Sequence, residues 1–300
     1  MKVLFVHSGN SRRFPVSPFL RSQADSLREE GAEVAFFPVV GKGLGYLRNV
    51  RPLRRTIRAI QPDVVHAHYA LCGWVAVLAW GRRPVVVSLM GDDAQGTFTG
   101  PGRRTWSSWF FIALARSIQP FVDAIIYKSA DLGKVVWRER IGHLLPNGVR
   151  LDQFREDKDI AGAAQDFDRS KKHVLFLGDP KDPNKNVALV RDAVELLGRS
   201  DVQLHVPHGI DHDAVVELMN RADVLALCSF GEGSPNVIKE AMACNCPIVS
   251  VRVGDVERVV GETEGCFVTG YEPVDFARGL ERALAFNGRT RGRERILALG

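Results

Sequence analysis

The sequence predicts an α/β protein made of two Rossmann-like domains, each a parallel sheet with helices on both sides. Three observations carry this. Short runs rich in Val, Ile and Phe recur along the chain, as strands buried on both faces require. Helix-like stretches fill the intervals, which is the strand–helix alternation of parallel sheets. One segment of mostly charged or small residues, 152–172 (DQFREDKDIAGAAQDFDRSKK), interrupts the alternation and reads as a domain seam. The expected domains are 1–155 and 156–300.

The first half has expected strands at 3–6, 33–37, 64–66, 85–89 and 124–127. Helices are expected at 19–30, 51–60 and 71–80. The first of these has Pro18 before it and Gly31 just past its end. After the seam, strands are expected at 173–177, 202–206, 224–227, 247–251 and 266–269, with helices at 186–197, 213–220, 235–243 and 273–286. No fixed-period repeat or low-complexity tract is present. Ligands in such sheets bind beyond the carboxyl ends of the strands. The functional loops should therefore follow Val6, Leu89, Leu177, Val206 and Leu227, around a cleft between the domains.

Composition bounds the function. The 300 residues are 45% hydrophobic and 25% charged, as in a soluble globular protein of about two domains. Five cysteines in so long a chain exclude a disulfide scaffold. The longest uncharged stretch, 69–81, has 13 residues, short of the ~20 a bilayer span needs. The apolar run at 3–6 is broken by His7 and reads as a strand rather than a signal peptide. The expected address is a reducing cytoplasm. The net charge of +5 suits an anionic ligand or an anionic membrane face. No nucleic-acid-binding module is recognisable.

The segment 229–251, SFGEGSPNVIKEAMACNCPIVSV, carries most of the functional reading. Gly231 and Gly233 open a flexible loop after a strand. Ser234 suits a helix N-cap and Pro235 a first helical position. The first amides of that helix and its dipole form an anion site at the strand's carboxyl end. Glu232 lies in the loop ahead of the helix. Glu240 lies six residues past the cap, about 9 Å along the axis at ~1.5 Å per residue. A diphosphate with a sugar at each end has about that reach, and each carboxylate offers several lone pairs to sugar hydroxyls.

Glu232 and Glu240, with seven residues between them, resemble the E-x7-E motif of the retaining GT-B glycosyltransferases of family 4 (group 1). Ala241, Met242, Ala243, Cys244 and Pro247 resemble that family's continuation. Pro146-Asn147-Gly148-Val149 is similar to the PNGV turn that closes its first domain. His66-Ala67-His68 resembles its central strand-end motif, and 178–186 its phosphate loop, with Lys185 at the lysine position. The resemblance implies a GT-B fold with the donor nucleotide on the second domain and the acceptor on the first. It implies that Glu240 binds the nucleotide ribose, Glu232 contacts the donor sugar and Lys185 meets the diphosphate. Gly178, Gly233, Ser234, Pro235 and Asn236 complete the donor site. Gly9, in the first loop, lets backbone approach the phosphates or the acceptor. The family's arginine after the phosphate-loop glycine has no counterpart, and Lys181 is the nearest cation. Met90 stands where the family often has histidine, which leaves Asp92 as a candidate polar anchor for sugar or acceptor.

The expected activity is retaining, metal-independent transfer of a sugar from a UDP- or GDP-sugar to a glycan, lipid-linked or small-molecule hydroxyl. No cofactor is expected, since the nucleotide-sugar is a substrate. The alternatives are a nucleotide-sugar epimerase of the same architecture and a non-catalytic sugar-nucleotide-binding subunit. Other signals are set aside. The glycines at 41–45 match neither common nucleotide-loop spacing. Asp166 with Asp168 and Asp211 with Asp213 read as solvated caps, and Cys244 with Cys246 as buried small hydrophobes. His66 and His68 share a strand face but lack an evident third metal ligand. The basic stretch 42–58 reads as an amphipathic surface helix with Leu53, Ile57 and Ile60 inward; the alternative is a patch for anionic lipid. Trp106, Trp109, Phe110 and Phe111 beside Arg103 and Arg104 read mostly as core, against an interfacial alternative.

Overall fold

The computed structural model describes residues 1–11, 14–79, 81–157, 167–168 and 170–299. The chain forms two compact units. The first comprises Met1–Thr97 and Arg104–Pro146, the second Phe98–Arg103 and Asn147–Gly300. Their elements run in chain order: β1 (Lys2–Ser8), α1 (Pro18–Glu29), β2 (Glu33–Val39), α2 (Val50–Ile60), β3 (Val64–His68), α3 (Ala70–Ala79), β4 (Val85–Ser88), α4 (Asp92–Gln95), a hairpin of β5 (Phe98–Gly100) and β6 (Arg103–Arg104), α5 (Ser108–Ser117), β7 (Ala124–Tyr127), α6 (Ala130–Gly133) and β8 (Gly142–Leu144). Then follow β9 (Lys172–Phe176), α7 (Val187–Leu197), β10 (Val202–His205), α8 (His212–Arg221), β11 (Val224–Leu227), α9 (Asn236–Ala243), β12 (Ile248–Val251), α10 (Val256–Val260), β13 (Cys266–Thr269), α11 (Pro273–Phe286) and α12 (Gly292–Ala298).

The first unit holds a six-stranded parallel sheet in the order β2-β1-β3-β4-β7-β8. Its register pairs Val3 with Val34 and Val64, and Val65 with Val85. One face buries Leu4, Val6, Val65, Ala67 and Val87 with Leu53 and Ile57 of α2 and Val75 and Ala76 of α3. The other buries Val3 and Phe5 with Ala24 of α1. α1 starts at Pro18, whose missing N–H costs nothing in a first turn, and stops at Gly31, held at φ +82°. In α2, Arg54 donates to the carbonyls of Leu78 and Ala79 at the end of α3.

The second unit holds a five-stranded parallel sheet in the order β10-β9-β11-β12-β13. Alternation along its strands makes two cores. Leu175, Leu225, Leu227 and Ile248 meet Ile238, Ala241 and Met242 of α9. Val174, Phe176, Ala226 and Val249 meet Val190 of α7 and Phe276 and Leu280 of α11. Period-2 geometry sends neighbours to opposite faces, so a strand covered on both sides reads as a continuous apolar run.

Three sequence expectations are corrected. Residues 147–155 belong with the second unit: Phe154 is in its core, and Arg293 donates to the carbonyls of Leu151 and Phe154. Composition misses this because one buried phenylalanine in a charged stretch decides the packing. Ser234 is not the N-cap of α9; Pro235 is, and the Ser234 hydroxyl is turned to Asp255. Trp106, Trp109 and Phe110 are not core. They are 92%, 62% and 63% exposed, and only Phe111 is half-buried. Asp166 of the Asp166–Asp168 pair lies outside the described residues.

Candidate functional site

The sequence-selected donor residues cluster in the second unit, where loops leave the carboxyl ends of adjacent strands β9 and β11. After β9 the chain passes Gly178 and turns through Pro183–Lys185 into α7. Asp182 accepts from the Asn184 amide and holds that turn, and Asn186 takes the left-handed conformation at φ +51° to enter α7. A side chain at Gly178 would press on the Phe176 ring and the Lys185 stem, at 3.1 and 3.3 Å. After β11, residues 228–235 lead into α9.

The two loops are joined by three hydrogen-bonding contacts. Asn184 Nδ2 donates to the Gly231 carbonyl at 2.9 Å. The Phe230 amide donates to the Asn184 carbonyl at 2.8 Å. Lys185 Nζ lies 2.6 Å from Glu232 Oε1, so the two residues expected at diphosphate and sugar already form an ion pair. Tyr271 donates to the Ser229 carbonyl at 3.1 Å and braces the loop from below. Gly231 is required where it stands, since a Cβ would fall 2.2 Å from the Phe98 ring.

α9 begins beside this pair. Pro235 is extended and precedes the helix, so the Asn236 and Val237 amides lie outside the helical hydrogen-bond ladder, while the Ile238 amide donates to the Pro235 carbonyl at 3.3 Å. The far end is well closed. Asn245 adopts φ +54°, Cys246 donates to the Ala241 carbonyl, and Arg289 and Arg293 donate to the carbonyls of Cys244 and Ala243. Glu240 sits on the second turn, partly buried. Among the described residues its carboxylate has no hydrogen bond or ion pair. Burial pushes its pKa up to about 7, against the opposing charge of Lys239. A proton-poised, unpartnered carboxylate at the edge of a helix is suited to take hydroxyl donors from a ligand.

Sequence reading missed the network beneath α9. Lys239 is buried and lies 3.3 Å from Asp255, which is also buried. Lys239 also donates to the Ser234 hydroxyl, and Ser234 donates to Asp255 at 2.8 Å. Desolvation lowers the Lys239 pKa, with Asp255 as the main restoring charge. Arg258 adds a second cation 3.5 Å from Asp255. Asn147 reaches the same turn, donating to the Ser234 carbonyl and to Asn236 Oδ1 at 3.3 and 3.0 Å. A lone lysine among Val237, Ile238, Ala241 and Met242 was the legible signal; its partner, 16 residues on, was not. Gly254, at φ +57°, brings Asp255 close by packing on the Gly233 carbonyl, where a Cβ would fall 2.7 Å away. Of the other selected residues, Lys181 is exposed, with its amide bonded to Asp179.

Gly9 and Asp92 belong to the first unit. Gly9 donates to the Val39 carbonyl, and a Cβ there would fall 2.7 Å from Pro38. Asp92 is exposed at the start of α4. Its neighbour Asp93 is the buried carboxylate, accepting from the amides of Ala70, Met90 and Gly91 at 2.8, 2.8 and 3.0 Å. Burial raises Asp93 to about 6, and those three amides hold it down against that pull. His66 and His68 are buried and stacked with centroids 4.2 Å apart, and His66 bonds Ser88 at 2.8 Å. Burial is the first cause that holds both imidazoles neutral, with Lys128 adding to it. Among the described residues no three His, Cys, Asp or Glu side chains converge as a metal site. Cys244 and Cys246 are buried free thiols raised by burial.

Comparison with known proteins matches most of the chain to two glycosyltransferase family models. Residues 5–138 match the model of the glycosyl transferase 4-like domain, and residues 160–285 that of the glycosyl transferases group 1. The chain is 24% identical over 267 residues to D-inositol 3-phosphate glycosyltransferase 2 of Catenulispora acidiphila, covering 72% of this chain and 61% of that protein. It spans 61–64% of the length of the first curated relatives it matches. In fold it is similar to sucrose-phosphate synthase of Thermosynechococcus elongatus (TM-score 0.76, 15% identity, 99% and 94% of the two chains). It is also similar to Anabaena Alr3699/HepE in complex with UDP and glucose (TM-score 0.67, 18% identity, 99% and 95%).

Proposed function

Since the chain belongs to the group 1 glycosyltransferases and has their GT-B fold, we propose that it transfers a sugar from a UDP- or GDP-sugar to an acceptor hydroxyl, with retention and without a metal ion. The observation that carries the reading is the Lys185–Glu232 pair beside the N-terminus of α9, with Glu240 one helix face away. A UDP complex of the similar Anabaena protein supports the donor class. The acceptor is a glycan, a lipid-linked sugar or a small molecule. Five free cysteines support a reducing, cytoplasmic address.

The chemistry follows from these groups. The donor diphosphate sits on Lys185 and the first-turn amides of α9, where the helix dipole and one ammonium face growing negative charge. Lys185 then exchanges a carboxylate for phosphate oxygens, and Glu232 is released to accept from donor-sugar hydroxyls. Glu240 accepts from the ribose. The bond from the anomeric carbon to the β-phosphate oxygen breaks as positive charge spreads over the ring. The acceptor oxygen bonds to that carbon on the departing face, and its proton passes to the leaving phosphate oxygen. The cationic charge that a metal would supply comes from Lys185 and the helix end.

Purified enzyme incubated with donor and acceptor tests this. Glu232→Ala and Glu240→Ala each should lower transfer at least a hundredfold, and a chelator should leave turnover intact. Full activity in both variants ends the proposal. A changed sugar with donor alone indicates an epimerase, and donor binding with no turnover indicates a binding subunit.

A further inference from the structure

We propose that α5 and the turn before it form a docking surface for an anionic lipid bilayer, a property that does not depend on the transfer reading. Trp106, Trp109, Phe110 and Ala113 recur at spacings of three, four and seven residues, the stripe by which a helix normally faces a core. Here every one of them is exposed, with Trp106 at 92%. The helix cannot roll to bury them, because its other face is anchored. Ile112 packs against the sheet core, Ser108 receives the Thr97 amide at 3.0 Å, and Trp74 Nε1 donates to the Leu114 carbonyl at 3.2 Å. Beyond the end of α5, exposed Trp137 donates to the Arg116 carbonyl at 2.9 Å and extends the aromatic surface.

Charge selects the occupant. Between Ala94 and Val122 the chain has no Asp or Glu, while Arg104 and Arg116, in the same unit as α5, are both exposed. Two copies of this face would oppose arginines to arginines, which disfavours self-pairing. An anionic headgroup layer complements them. Indole rings with a polar N–H suit the headgroup boundary and a phenyl ring the acyl region below it. With ten residues α5 is too short to cross a bilayer and would lie in its surface.

The test is sedimentation of the full chain with vesicles of phosphatidylcholine alone or mixed with phosphatidylglycerol. Binding to the mixed vesicles is expected, weakening as salt rises, with a blue shift of tryptophan emission. Trp109→Ser with Phe110→Ser should weaken it by roughly tenfold per ring. Arg104→Gln with Arg116→Gln should weaken it by about fivefold per charge on mixed vesicles and leave phosphatidylcholine alone unchanged. Thermal melts of both variants should match the parent, since none of these side chains is in the core. Undiminished vesicle binding by the ring variant overturns the proposal. So does self-association abolished by the same ring substitutions in a chain that ignores both vesicles, which assigns the face to a second copy.

Discussion

Glu240 shows how one partly buried side chain links chemistry to pH. Its pKa is raised to about 7 in the folded protein, while an unfolded glutamate titrates near 4.3. Below the unfolded value both states hold the proton and nothing is lost. As pH rises toward 7 the unfolded state ionises first and the folded state is penalised. Glu240→Gln should therefore nearly match the parent at pH 4 and exceed its stability by roughly 3–4 kcal/mol at pH 8. Denaturant titrations at the two pH values measure this; an equal difference at both would place the carboxyl in water. The same linkage applies to ligand. Under the proposed role of Glu240, ribose hydroxyls would favour its ionised form, so nucleotide affinity should rise between pH 6 and 8 with proton release. Calorimetry in buffers of different ionisation enthalpy reads that release directly.

α9 shows how an element is held so that one end stays available. Its core face, with Ile238, Ala241 and Met242 fully buried, fixes its position on β11 and β12. Its carboxyl end is closed by Asn245, Arg289 and Arg293. The entry turn depends on Lys239 and Asp255, a buried pair whose desolvation is offset only while both charges are present. Lys239→Ala should cost about 3–5 kcal/mol in chemical denaturation, by stranding Asp255. A loss under 1 kcal/mol would mean that Arg258 alone neutralises it. Lys239→Met with Asp255→Leu should recover much of the loss, because an apolar pair of similar volume carries no buried charge.

For the whole molecule, ligand-linked stability is the sensitive observable. A donor that binds the folded second unit and not the unfolded chain should add about 2.7 kcal/mol at a hundredfold excess over Kd. In a chain of 300 residues that raises the melting temperature by on the order of 5 °C. A panel of UDP, GDP and ADP with their sugars should single out one base, and an unmoved melt with all of them would contradict nucleotide binding at Lys185, Glu232 and Glu240. The alternation of strands and helices, the glycine-containing loops after β9 and β11 and the positions of the two glutamates were legible in the chain, because period-2 burial, glycine punctuation and paired carboxylates are local signals. The late join of residues 147–155 to the second unit was not, because it rests on Phe154 finding a core and Arg293 finding two carbonyls far along the chain. Nor was the ion pair of Lys185 with Glu232, 47 residues apart, or the exposure of Trp106, Trp109 and Phe110. A helical stripe states that a face is apolar. Which surface meets it, and which charge lies across from a buried lysine, is decided by contacts between distant segments that only the folded chain brings together.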